Sequence, residues 1–203
     1  MKSEVIWDEK TENAKLYIRR NSYDSLRWHC GYVEIENFEF NEDNPFFKFI
    51  PVHGNITFIE REGNNVTFGF DVAHIYESTQ MDGIVGMFNR MVNIMFGKAS
   101  EYEISKAEEM ITRQSKAINN YPLNKNMELM KIEVGKLHDC LRLFCDRYDG
   151  FIKTNNKVDY IADVLDECSR KYEANLEINV GVVLTTLAMG IDIDIFARRL
   201  GIK

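Results

Sequence analysis

Three side chains stand out by type and spacing in the first part of this 203-residue chain: His53, Asp71 and His74. Two imidazoles and a carboxylate are what a divalent metal site needs, or a general acid paired with a general base. They flank two strand-like runs, Ile56–Glu60 and Val66–Phe70, joined by Arg61-Glu62-Gly63-Asn64-Asn65. Glycine and asparagine tolerate positive φ, so the segment reads as a β-hairpin. If Glu60 pairs with Val66, counting outward places His53 opposite Ala73, beside Asp71 and His74. His29 and Cys30, on the strand before, are within reach of the same point. The alternative is structural: histidines at strand ends are often held by backbone groups, and Asp71 ends its strand.

A second candidate lies between strand and hairpin. Asn37–Pro51 is an aromatic and acidic loop with a turn at Asn44-Pro45. Phe38, Phe46 and Phe47 supply anchors, and Glu39, Glu42 and Asp43 supply charge, as a protein-binding loop would. The same phenylalanines could instead pack on the protein's own sheet. Of the four cysteines, Cys30, Cys140, Cys145 and Cys168, no two form a C-x-x-C pair, and their apolar or helical settings suit buried free thiols. His138 and Cys140 share a helix two residues apart and do not face each other, and His138 reads as a surface residue. The chain has no glycine-rich phosphate loop.

These residues need a scaffold. Leu26–Ile35 is aromatic and β-branched, a strand. The first twenty-odd residues are polar, with Ala14–Ile18 the only apolar knot, and read as a short helix or an edge segment. After His74 the apolar spacing changes to three and four, predicting helices over 81–96, 100–119, Met127–Tyr148, Val158–Tyr172 and 176–189. Ser100 and Glu103 form a capping box, Asn124 caps the third helix and Asp149-Gly150 ends it. Asp192 or Asp194 caps a last short helix. The expectation is an α+β protein: an N-terminal antiparallel sheet with a central hairpin over 1–78, then a bundle of about five helices over 79–203. Met127, Met130, Val134, Leu137, Leu141, Phe144 and Tyr148 form a heptad seam, either bundle core or a homodimer coiled coil.

Composition narrows the classes. With 45% hydrophobic and 28% charged residues, the chain can bury a core. Its net charge of -7 is spread over both halves, 10 basic against 15 acidic residues in 1–100 and 15 against 17 in the remainder. Such a surface repels phosphate backbones, so direct nucleic-acid binding is not expected. The N-terminal residues lack the apolar run of a signal peptide, and no apolar stretch reaches the roughly 20 residues of a membrane span. Reduced cysteines and these absences predict a cytoplasmic protein.

Two resemblances bear on function. Cys30-Gly31-Tyr32-Val33, Val52-His53-Gly54-Asn55-Ile56-Thr57-Phe58 and Phe68-Gly69-Phe70-Asp71-Val72-Ala73-His74 resemble, in order, the CGYV, VHGGLT and GFDxAH blocks of a family of uncharacterised phage and prophage proteins. The resemblance covers about residues 26–76 and implies a phage or mobile-element origin, without an activity. Asn55 replaces that family's second glycine, and Ile75-Tyr76 replaces its Gly-Asp. The layout of Met127–Leu143 followed by Asp159–Val164 is similar to MazG-like nucleotide pyrophosphohydrolases, which hold magnesium with E-x-x-E and E-x-x-D. Here Lys136 follows Glu133 and Tyr160 precedes Asp163, so half of that ligand set is missing.

Two functions follow as expectations. One is an acidic accessory protein that binds a host protein in a bacterial cell, such as a CRISPR nuclease with a basic nucleic-acid channel, as an anti-defence inhibitor. The other is a small metal-dependent hydrolase of a phosphoester or nucleotide built on His53, Asp71 and His74.

Overall fold

Alternation of apolar and polar residues builds the N-terminal half. The structure, a computed structural model, describes residues 2–23, 26–72, 126–172 and 189–199 and the single positions 102, 105 and 186. Strands β1 (Lys2–Lys10), β2 (Ala14–Tyr23), β3 (Leu26–Ile35), β4 (Phe58–Glu62) and β5 (Asn65–Asp71) form one five-stranded sheet in the order β1-β2-β3-β5-β4. All neighbours run antiparallel. Of the two expectations for the first twenty-odd residues, the edge segment holds for β1 and the short helix is corrected, since Ala14–Ile18 lies in the interior strand β2. Ala14, Leu16 and Ile18 alternate with Lys15, Tyr17 and Arg19, which is the period of a strand with one face buried.

The inner face carries Leu16, Val33, Phe68 and Ile59 in one register row and Ile18, Gly31 and Phe70 in the next. The outer face carries the aromatic row Tyr17, Tyr32 and Phe58. Tyr17 and Tyr32 stack at 5.0 Å, and Phe58 meets Tyr32 edge-on at 5.6 Å.

Helix α1 (Met127–Lys153) lies on the inner face. Its cap is Asn126, whose side chain accepts from the backbone N–H groups of Glu128 and Leu129. The helix does not stop at Gly150. It runs one turn further, and Gly150 instead makes room for Tyr160, because a Cβ there would strike the phenol. Tyr160 Oη donates to the carbonyl of Arg147 at 2.9 Å, which locks α2 (Lys157–Tyr172) to α1. A short α3 (Ile193–Arg199) is capped by Asp192, whose Oδ1 accepts from the N–H groups of Asp194 and Ile195.

Three helices are thus described where about five were expected. The helices predicted over 81–96, 100–119 and 176–189 fall outside the described residues, single positions apart. Met130, Val134, Leu137, Leu141 and Phe144 of the heptad seam are fully buried within one chain, against the sheet and the loop before β4. One buried cluster runs without a break from β2, β3 and β5 through that loop to all three helices. No described helix is long and apolar enough to cross a membrane.

Candidate functional site

The hairpin turns on two residues, Gly63 and Asn64, because Glu62 pairs with Asn65. Gly63 has φ 61° and Asn64 does not take positive φ, as in a type II′ turn with glycine at its first central position. Val66 therefore pairs with Arg61, one residue from the Glu60 pairing expected, and β4 begins only at Phe58.

The members of the expected cluster are held by different elements. His53 lies in a turn before β4, 3% exposed, and its backbone N–H donates to Glu133 Oε1 of α1 at 2.7 Å. The same oxygen accepts from Lys136 Nζ at 3.4 Å, one turn along the helix. Both side chains are only 9% exposed. A buried charge persists only when paired and hydrogen-bonded, and Glu133 has both a cation and an amide. Two of the positions that the MazG-like layout assigns to magnesium ligands, Glu133 and Lys136, thus form an internal ion pair that pins the 50–57 loop. Asp71 ends β5 directly opposite Cys30, and Val72 N–H donates to the carbonyl of His29. Cys30 and Asp71 therefore share one face of the sheet, whereas His29, the neighbour of Cys30 along β3, points to the other face. Asn21 Nδ2 donates to Cys30 Sγ at 3.1 Å, while burial first and the Asp71 carboxylate further down push the Cys30 thiol up. His74 lies outside the described residues. Among the described residues, no three of His, Cys, Asp and Glu form a group that could hold a metal ion.

Asn55 has φ 78° and follows Gly54 at φ 69°. The asparagine-for-glycine departure at 55 thus falls on a left-handed backbone position that both residues tolerate.

The second candidate, the 38–49 loop, turns its aromatic side chains inward. Phe38 is 5% exposed, and Phe46 and Phe47 not at all. Pro45–Phe49 is a 3-10 helix capped by Asn44, whose Oδ1 accepts from Phe46 N–H at 2.9 Å. Phe46 stacks on Phe151 at 4.3 Å, and Phe47 stacks on Tyr148 at 5.7 Å. Of the two readings, these phenylalanines take the intramolecular one; they are not anchors on an outside partner. Arg61 ties the loop to the hairpin. Its guanidinium donates to both carboxylate oxygens of Glu42, at 2.8 and 2.6 Å, and to the carbonyls of Phe38 and Phe40. The Arg61 guanidinium holds the Glu42 carboxyl down at about 2. Glu39 and Asp43 stand exposed on this fixed loop.

Sequence reasoning missed a second acidic surface. Asp159, Asp163 and Asp166 recur at helical spacing on α2 and surround one cation, Arg199 of α3, at 3.3, 2.6 and 3.8 Å. Three carboxylates against one guanidinium leave the patch negative. Their spacing of four and three was legible, but the pairing with Arg199 needs the tertiary fold.

Comparison with protein-family models, curated proteins and solved structures finds no match.

Proposed function

We propose that this chain works by binding another protein through acidic surfaces, as a phage-type accessory factor directed against a host defence protein with a basic nucleic-acid channel. The observation that carries the reading is the stapled loop. Phe38, Phe46 and Phe47 anchor it in the core and Arg61 clamps its outer side, so Glu39 and Asp43 are presented from a rigid base. Preorganised carboxylates lose little entropy when they meet a cationic partner, and charge complementarity speeds encounter. The Asp159–Asp163–Asp166 stripe and the net charge of -7 support the same polarity.

The test is capture from a bacterial lysate on immobilised protein, beside a chain carrying Glu39→Lys and Asp43→Lys. The expected result is a basic nucleic-acid-binding protein retained at physiological salt by the native chain and lost from the charge-reversed one. Recovery of no partner, or equal recovery on both, would overturn the proposal. The competing hydrolase reading has one observation in its favour, the direct pairing of Asp71 with Cys30 across β3 and β5. It requires zinc, manganese or iron in protein purified without a tag, and a melting shift when the metal is added. Absence of both would sink it.

A further inference from the structure

A groove of about 700 Å³ opens between α1 and α2, and two sulfurs lie in its lining, Cys140 and Cys168. Both are nearly fully buried, at 1% and 2%. The Cys168 thiol lies close enough to Cys140 to push its thiol up. The helix packing places them independently: Tyr160 reaches Arg147, seven residues along α1 from Cys140 and eight before Cys168 on α2. Two turns each way along antiparallel helices bring the two cysteines opposite. Arg142, Arg147 and Arg170 share the lining with three carboxylates. Walls that carry both signs suit a small zwitterionic peptide.

We propose that Cys140 and Cys168 form a dithiol oxidised by a low-molecular-weight peptide disulfide of the glutathione class, closing a disulfide between α1 and α2. The neighbouring Cys168 and burial both push the Cys140 thiol up. One thiol of the pair, as its thiolate, displaces one thiolate from the small disulfide and forms a mixed disulfide. The other then loses its proton and attacks the protein sulfur of that mixed disulfide, expelling the second thiolate. Two protein thiols become one disulfide. One small disulfide becomes two small thiols, which take up the two protons.

The folded wild-type chain is equilibrated with glutathione and glutathione disulfide, then denatured, alkylated and mapped by mass. The expected product is a monomer lighter by two hydrogens, with Cys140 linked to Cys168, Cys30 and Cys145 alkylated, and full reversal by dithiothreitol. Cys140→Ser and Cys168→Ser chains are each expected to lose the linked product, and the one that retains the attacking thiol to accumulate its glutathione adduct. Alkylation of both Cys140 and Cys168 after oxidation, linkage through Cys30 or Cys145, or linkage between chains would overturn the proposal. The wild-type map decides this even if a variant fails to fold.

Discussion

Arg61 donates four hydrogen bonds from one side chain, two to Glu42 and two to loop carbonyls. Lysine has a single ammonium and cannot reproduce that fork. Arg61→Lys is therefore expected to lower the midpoint of chemical denaturation despite keeping the charge, because the two loop carbonyls lose their donors. The sign of the acid dependence follows from Glu42. Its carboxyl titrates near 2 when folded and at about 4.3 when unfolded. A depressed folded value stabilises above the unfolded one and is lost as pH falls from about 4.3 toward 2. Glu42→Gln should flatten the fall of the melting temperature across that window. At this scale the sequence was readable in type but not in register. Gly63, Asn64 and Asn65 are all turn formers, and nothing in the pattern says which two make the turn. That one-residue ambiguity moved the pairing of Val66 and, with it, the expected surroundings of His53.

Helix α1 contains two glycines with opposite roles. A Cβ on Gly135 meets nothing within 4 Å, whereas one on Gly150 strikes Tyr160. Gly135→Ala should stabilise the chain by about 0.5–1 kcal/mol by removing unfolded-state freedom. Gly150→Ala should destabilise it, and Tyr160→Phe should recover part of that loss; a double-mutant cycle of denaturation midpoints measures the coupling. The contrast shows why helix ends were misread. Asp149-Gly150 has the composition of a stop, but here the glycine serves a helix crossing, which sequence alone does not display. Strand β3 was fully legible, because its residues are aromatic and β-branched over its whole length. Strands β1 and β2 were not, because an edge strand keeps its charge and Tyr17 blurred the alternation of β2.

Across the whole molecule, the 38–49 loop is the joint between sheet and helices. Phe46 touches Phe144 at 4.6 Å and Phe151 at 4.3 Å, both on α1. Phe46→Ala should therefore cost about 3–5 kcal/mol and weaken both layers in one cooperative transition, read by far-UV dichroism of the helices and fluorescence of the sheet tryptophans. A fragment of residues 1–78 would leave Phe46, Phe47 and Phe49 without their helical cover. It is expected to aggregate when expressed alone, as judged by size-exclusion chromatography.

That joint also sets an order on synthesis. The ribosome releases the sheet and its three phenylalanines long before Phe144 and Phe151 exist to receive them. The His53 amide likewise waits 80 residues for Glu133. The nascent chain thus carries an unsheltered aromatic surface through the making of more than half its length, a stretch in which a holding chaperone has a site to grip and folding cannot finish.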